Sequence, residues 1–375
     1  MKRARRPLRI ALVGTGKMAR SHSQAYLTAA RFLDPPVEPV LAVLCGRRDE
    51  PTQRLAAALG WEEASLDWRS AVSRGDVDLV DVCTSTASHA EISCAAAAAG
   101  KAVIVEKPLA LDVPQAESMV EAAESAGVAS AIVFNYRYVP AVRQARELIA
   151  SGQLGEIRHV ALHFLQDWLT DPARPMSWRL RRGDGGGVLS DLGSHLVDLV
   201  HHLVGPVVRV AASSAGFITE RRDESGTKQP VDVEDAVHAL AVTASGTLAT
   251  LELSRVAGGH RCSSGFEVVG SQGSVRWEFQ RFNDLDVYLS EGTPGLRGWR
   301  RVSVTTPGLH PWADRWWGNG HVIGYEETFV HLLGELLNHL AGESAAPPGF
   351  RDGLACQRVL AAVESATRSG RWEEV

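Results

Sequence analysis

The sequence predicts two domains of different class. An α/β domain with a doubly wound parallel sheet spans residues 1–134. An α+β domain with a large, mostly antiparallel sheet spans 135–375. Three observations predict this. Short apolar runs alternate with helical patterns as far as residue 134, as in successive βαβ units. From 207 to 304 short runs alternate apolar and polar, with turns at Gly246 and Ser271-Gln272-Gly273, the pattern of a half-buried antiparallel sheet. A chain of 375 residues with 45% apolar content is long enough for two cores.

Residues 8–13 make the first strand. Gly14-Thr15-Gly16-Lys17-Met18-Ala19 follows and opens a helix to residue 30. Strand, glycine turn and helix are the setting in which G-x-G-x-x-G/A binds a dinucleotide. The first glycine makes the tight turn, the second admits a pyrophosphate to the backbone N–H groups, and a small third residue lets helix and strand pack. Gly14, Thr15, Gly16, Lys17 and Met18 are therefore cofactor-binding candidates. The next strand, 40–44, follows a break at Asp34-Pro35-Pro36. An NAD site usually carries a carboxylate at its end for the ribose hydroxyls. This chain has Cys45-Gly46-Arg47-Arg48. Two guanidinium groups accommodate a 2′-phosphate, so within an NAD(P) site Arg47 and Arg48 lean the cofactor towards NADP.

Helix 52–59 closes at Gly60, and Asp67 caps the next helix. Strand 77–83 leads into a turn containing Thr84, Ser85, Thr86 and His89. Helix 91–99 ends before Gly100. Strand 102–105 runs directly into Glu106-Lys107-Pro108. Asp112 with Gln115 reads as a capping box for the helix reaching Gly127. Strand 129–134 delivers Asn135-Tyr136-Arg137-Tyr138. Ligands of doubly wound sheets bind beyond the carboxyl ends of the strands. Gly14, Arg47, 84–89, Lys107 and 135–137 all follow strand ends, and are expected to line one crevice.

After helix 140–151 the pattern changes. Residues 157–165 read as a strand. Residues 166–182 are irregular and hold Gln166, Trp168, Trp178, Arg179, Arg181 and Arg182. Trp beside Arg in a loop suits stacking on and hydrogen bonding to a polyhydroxylated ligand. The stretch 185–198, GGGVLSDLGSHLVD, begins a helix. Val188, Leu189, Leu192 and Leu196 fall on one stripe; Asp191, His195, Asp198 and His202 fall on another. Imidazoles are uncommon on plainly solvated faces, and a glycine triplet lets backbone approach a ligand closely. Asp191 and His195 are therefore candidates for chemistry. Asp198 and His202 lie further from the glycines and are expected to serve structure or to support the residues that touch the ligand. Residues 220–230 read as a loose polar loop, 310–324 are rich in Trp and Gly, and helices follow at 326–340 and 354–369.

The net charge of −5 and a pI near 6.2 argue against nucleic-acid or anionic-membrane partners. No apolar window reaches the ~18 residues of a membrane span. The basic run 2–6 is followed by too short an apolar segment for an export signal, which points to the cytoplasm. Cys45, Cys83, Cys94, Cys262 and Cys356 are scattered and lack CxxC spacing, as expected of free thiols rather than disulfides or structural zinc. Asp191 and His195 have the spacing for a metal but no evident third ligand, so no metal is expected. Lys2, Lys17, Lys101, Lys107 and Lys228 are the only lysines among 39 basic residues. Where lysine survives, a tunable ammonium is one reason to keep it; for Lys2 and Lys228 chance is the simpler account.

Gly14-Thr15-Gly16, Glu106-Lys107-Pro108 and the GGGxxxDxGxHxxD stretch, in that order, resemble the Gfo/Idh/MocA oxidoreductases over essentially the whole chain. Gln166-Asp167-Trp168, Ser177-Trp178-Arg179, Asn135-Tyr136-Arg137 and Gly324-Tyr325-Glu326 look most like the levoglucosan dehydrogenase and inositol dehydrogenase-like branch. The resemblance implies a Rossmann domain and a second domain whose sheet joins subunits into a homodimer or homotetramer. It implies hydride transfer between nicotinamide and a secondary carbinol carbon of a sugar or cyclitol. Lys107, Asp191 and His195 match the family's catalytic trio, and Glu106 and Pro108 its lysine-positioning pair. Tyr136, Gln166, Trp168 and Asp191 match substrate contacts, to which Lys107, His195 and Tyr325 are added. Thr84, Ser85, Thr86, His89, Glu106, Lys107, Asn135, Trp178 and Arg179 complete the implied cofactor site. One departure is the turn 84–89, where the pattern has Pro and Asn in place of Ser85 and Thr86. Members of that branch use NAD, which pulls against Arg47. In this chemistry His195 takes the alcohol proton, Asp191 orients the imidazole or hydrogen-bonds the substrate, and Lys107 stabilises the developing alkoxide. A nucleotide-sugar 3-dehydrogenase and a non-catalytic dinucleotide sensor are the alternatives.

Overall fold

A computed structural model describes residues 5–375; Lys2, with most of the basic run read near it, lies outside them. Two compact units result. The first runs to Asn135 and takes in Gly324–Leu354; the second comprises Tyr136–Ile323 and Ala355–Val375. A single cut at 134 therefore misses the return of the chain to its first unit.

The first unit alternates strand and helix: β1 (Arg6–Val13), α1 (Lys17–Thr28), β2 (Val37–Cys45), α2 (Asp49–Leu59), β3 (Glu63–Ser65), α3 (Trp68–Ser73), β4 (Leu79–Val82), α4 (His89–Ala98), β5 (Ala102–Val105), α5 (Val113–Ala126) and β6 (Ser130–Ile132). All neighbours pair in parallel, in the order β3-β2-β1-β4-β5-β6. That is the doubly wound order with its reversal between β1 and β4. The central strands are apolar without alternation because both faces are covered: Ile10, Leu12, Leu79, Val80 and Ile104 are buried. Asp67 caps α3 by accepting from the N–H groups of Arg69 and Ser70. Asp112 caps α5 through Gln115 N–H, but the Gln115 side chain accepts from Leu111 N–H, so only half of the expected capping box forms.

The second unit opens with α6 (Pro140–Ala150), β7 (Ile157–Leu165) and α7 (Ser194–Val204). The strands β8 (Val207–Ala215), β9 (Glu220–Arg222), β10 (Lys228–Pro230), β11 (Ala236–Thr243), β12 (Leu248–Ser254), β13 (Ser263–Gly270), β14 (Gly273–Glu278), β15 (Asp284–Leu289) and β16 (Arg300–Ser303) follow. The chain ends in α8 (Tyr325–Leu340), α9 (Phe350–Ser369) and β17 (Glu373–Glu374). Nine strands form one sheet, β16-β15-β14-β13-β7-β12-β11-β8-β17, antiparallel except for β7 beside β12. Along β11 and β12 burial alternates residue by residue, so one face of the sheet forms the core and the other is open.

Two expectations fail. Residues 220–230 are no loose loop: β9 and β10 form a hairpin. Arg221 is buried there because its guanidinium donates to the carbonyls of Leu169 at 2.6 Å, Asp171 at 2.7 Å and Arg174 at 3.2 Å. Helix α8 belongs to the first unit. Its Gly334 admits Leu33, whose Cδ1 would lie 2.5 Å from a Cβ at that position. No helix among the described residues is long and apolar enough to cross a membrane.

Candidate active site

In the first unit the glycine turn divides its labour. Gly14 has φ of +131°, and a Cβ there would lie 2.5 Å from Cys83 O, so the turn needs glycine to lie against β4. Above Gly16 there is open space within 4 Å. Helix α1 begins there with no side-chain cap and no acidic residue in its first turn. Its leading N–H groups are left for an anion, at the positive end of the helix dipole. Gly16 and Lys17 thus fit a dinucleotide pyrophosphate. Thr15, Lys17, Arg47 and Arg48 are exposed, while Met18, Thr84 and Ser85 are half-buried.

The other cofactor candidates of this unit are turned inward. Thr86 and His89 are buried. The ring nitrogens of His89 face Pro108 O at 3.0 Å and Thr84 O at 3.3 Å, so the side chain latches two loops together. Burial holds its pKa below the usual histidine value. Asn135 is also buried, and donates from Nδ2 to Thr328 Oγ1 at 3.0 Å.

Glu106 and Lys107 follow β5, and the Lys107–Pro108 peptide is cis. Glu106 Oε2 accepts Lys107 N–H at 3.1 Å; its Oε1 lies 3.1 Å from His22 Nε2. His22 Nδ1 in turn meets Asp81 Oδ2 at 2.9 Å. The sequence reading missed His22 and Asp81. The signal was present: each is a lone polar residue on an apolar face, of the kind that is buried only with a partner. Tyr325, at the start of α8, stands edge-on to Phe329 with ring centroids 5.5 Å apart.

In the second unit the glycine triplet serves the protein's own packing, contrary to the expectation that it clears space for a ligand. A Cβ at Gly186 would meet the carbonyls of Arg179 at 2.5 Å and Arg181 at 2.8 Å; at Gly187 it would lie 2.6 Å from Glu234 Oε1. Leu189–Gly193 then forms a π-helical turn before α7. Such single wide turns recur at functional sites, and this one carries Asp191.

Asp191 Oδ2 accepts from Arg255 Nη2 at 2.7 Å and lies 3.7 Å from Arg179 Nε. Arg255 is buried and also donates to Gly187 O at 2.8 Å and Arg179 O at 3.2 Å. The sequence reading missed Arg255 too, although it stands alone at the end of an apolar strand. His195 is 7% exposed and lies against Tyr136 and Phe164, at centroid distances of 4.7 and 6.0 Å. Asp198 is buried and turned to the protein: Arg137 grips it with Nε at 3.0 Å and Nη2 at 2.6 Å. That pair fixes the segment on which Tyr136 sits.

The 166–182 segment is packed. Leu169 and Leu180 join Val233 in a small core flanked by Trp168 and Met176. Trp168 Nε1 donates to Gln166 Oε1 at 2.8 Å, and the Arg255 guanidinium lies 5.9 Å from the Trp168 ring. Arg179 stacks over Trp178 at 4.3 Å. The second unit therefore gathers two linked sets: Tyr136 with His195, and Gln166, Trp168, Arg255, Asp191 and Arg179.

Comparison with known proteins agrees with both halves. A family model described as an oxidoreductase family with an NAD-binding Rossmann fold matches residues 8–134, and the GFO/IDH/MocA C-terminal domain model matches 142–276. Levoglucosan dehydrogenase of Pseudarthrobacter phenanthrenivorans is 33% identical, with 98% of each chain covered. Inositol 2-dehydrogenase of Rhizobium meliloti is 26% identical, with 96% of each covered. Among solved structures, an oxidoreductase domain protein from Kribbella flavida matches with a TM-score of 0.95 at 42% identity over 99% of each chain. Levoglucosan dehydrogenase in complex with NADH and levoglucosan also matches with a TM-score of 0.95, at 32% identity over 99% of each chain.

Proposed function

The chain belongs to the Gfo/Idh/MocA family of oxidoreductases, and on that premise we propose that it is a dehydrogenase that oxidises a secondary alcohol of a sugar or cyclitol to the ketone. The observation that carries this reading is the Asp191 carboxylate, on the turn that leads into the helix presenting His195 and gripped by the buried Arg255. A bound nicotinamide dinucleotide supplies the hydride acceptor. The glycine turn, Lys17 and Met18 hold its pyrophosphate end. Arg47 and Arg48, exposed and without a carboxylate at the end of β2, let the site take NADP as well as NAD. Thr84, Ser85, Trp178 and Arg179 complete its cradle; Thr86, His89, Glu106 and Asn135 support that cradle from beneath.

His195 takes the hydroxyl proton. Its aromatic neighbours Tyr136 and Phe164 limit the water around it, and an imidazole is the side-chain type suited to proton transfer near neutral pH. Asp191, with one oxygen on Arg255, orients the imidazole or a substrate hydroxyl. Lys107 faces the developing alkoxide with its ammonium. Tyr136, Gln166, Trp168 and Tyr325 contact the sugar.

A panel of anhydrosugars, free hexoses and inositols, offered with NAD and with NADP, tests the reading through reduced-cofactor absorbance. Turnover of at least one polyol is expected. Tight cofactor binding with no turnover of any polyol would make the chain a sensor instead.

The open face of the nine-stranded sheet carries exposed Leu240 and Leu248, and a shallow concavity of about 680 Å³ lined by His238, Leu240 and Thr250. Such a face suits a homodimer or homotetramer. Light scattering of Leu240→Arg is expected to report a smaller species than the parent chain.

A further inference from the structure

Three segments of the first unit converge on one buried side chain. His22 lies on α1, the helix that begins at the glycine turn. Asp81 and Cys83 lie at the end of β4, just before the Thr84 turn. Glu106 directly precedes Lys107. Both ring nitrogens of His22 meet carboxylates, Nδ1 with Asp81 Oδ2 at 2.9 Å and Nε2 with Glu106 Oε1 at 3.1 Å. Tyr26 Oη donates to Asp81 Oδ2 at 3.0 Å, and Cys83 Sγ to Asp81 Oδ1 at 3.3 Å. His22 and Asp81 have no exposure, and Glu106 has 6%.

An ionised carboxylate only accepts hydrogen bonds. A ring whose two nitrogens both face such groups has to donate from both, and is then an imidazolium. The charge count agrees: two carboxylates buried side by side need a cation between them. Burial is the largest single influence and pushes the His22 pKa down, but the attraction of and hydrogen bonds to Asp81 and Cys83 together hold it well above that of ordinary histidine.

Glu106 relays this charge outward. One of its oxygens is held by His22 and the other by Lys107 N–H at 3.1 Å. We propose that His22, as a permanent imidazolium, is a positioning residue for Lys107. It fixes the Glu106 carboxylate, and that carboxylate fixes the main chain from which the ammonium extends. This inference rests on the reading of Lys107 as a catalytic residue. Glutamine at position 106 keeps the shape but not the charge, and asparagine at position 22 has no positive charge and a single donor nitrogen where the ring has two.

Histidine side-chain ¹⁵N NMR of the full chain, with His22 assigned by the loss of its signal in His22→Asn, is expected to show both of its nitrogens protonated at pH 8. Glu106→Gln and His22→Asn are each expected to lower kcat at least about tenfold, with NADH affinity changed less than about threefold. The double variant is expected to be no slower than the slower single variant, since both act through one element. A neutral His22 ring overturns the proposal. So does stoichiometric zinc, because the ligand atoms of His22, Asp81 and Cys83 lie within 4.8 Å of one another and could hold it instead. Multiplying effects in the double variant, or loss of melting temperature with unchanged kcat, also overturn it. If His22→Asn does not fold, Glu106→Gln still decides through kcat, and the ring signal that it shifts assigns His22 in the spectrum. Lys107→Met separates the two claims. Full turnover in that variant sinks the catalytic reading of Lys107, whereas a dead Lys107→Met beside an active Glu106→Gln sinks the positioning role alone.

Discussion

Arg255 Nη2 donates to Asp191 Oδ2 at 2.7 Å and to Gly187 O at 2.8 Å, so one guanidinium ties the carboxylate to the glycine turn that leads into its helix. Arg255 is 1% exposed and the Asp191 side chain 20%, so the guanidinium is buried while the carboxylate keeps one side open. Only a planar fork serves several fixed acceptors at once; an ammonium on a flexible stem does not. Arg255→Lys is expected to keep the fold but lower kcat by about tenfold or more, with NADH affinity unchanged. Arg255→Met leaves the Gly187 and Arg179 carbonyls without their buried donor and is expected to cost about 1–3 kcal/mol of stability, read by calorimetry. Parent-like kcat in Arg255→Lys would show that the clamp is not needed for turnover.

His195→Ala removes the proposed base and is expected to lower kcat about 10²–10⁴-fold. Lys107→Ala and Asp191→Ala are expected to fall in the same range. Fluorescence titration with NADH is expected to give affinities within a few-fold of the parent for all three. Near-normal turnover in His195→Ala would remove it as the base.

Arg47 and Arg48 are exposed at the start of α2 and meet only the ribose end of the cofactor in this reading. Arg47→Ala/Arg48→Ala is expected to raise KM for NADP at least about tenfold and to leave KM for NAD within about twofold, the loss of charge-assisted contacts to a phosphate. Parallel changes with both cofactors would place the two arginines away from the 2′ position.

His310 gives the second unit an acid sensitivity. Burial, aided by Arg143, lowers its pKa to about 4, and its Nδ1 accepts Trp312 N–H. The unfolded chain takes up that proton near pH 6.5, so between pH 6.5 and 4 it binds more protons than the folded chain. Stability present above pH 6.5 is lost as pH falls towards 4, by an amount on the order of 3 kcal/mol. Urea titrations of His310→Gln across this window are expected to show a shallower loss than the parent; equal slopes would exclude His310 as the source.

Local patterns were legible where one residue's chemistry decides its surroundings. Strands at 102–105 and 157–165 end where the apolar pattern ends, Asp67 caps as its type suggests, and Asp198 is held by structure. The β9–β10 hairpin was illegible because its strands are polar and its anchor is a guanidinium seated on carbonyls rather than an apolar stripe. The π-turn at Asp191 depends on glycine packing that spacing alone does not encode. His22 and Arg255 were visible as isolated polar residues, but their partners lie 59 to 84 and 64 to 76 positions away along the chain. The apolar spacing of 326–340 gives the helix α8, but nothing in that pattern names the unit it covers.

The return of residues 324–354 has a consequence for the order in which the protein is made. During synthesis the glycine turn, Glu106 and Lys107 emerge first, yet the helix that packs over Leu33 and Phe329's neighbour His22 emerges only after every strand from β7 to β16. Domains tend to fold as they leave the ribosome, amino-terminal first. Here the first unit has to wait, with the flank of α1 uncovered, until nearly the whole chain is available. A fragment ending at Asn135 is accordingly an unfinished nucleotide-binding unit, and a chain stopped before residue 324 lacks the helix that covers this flank.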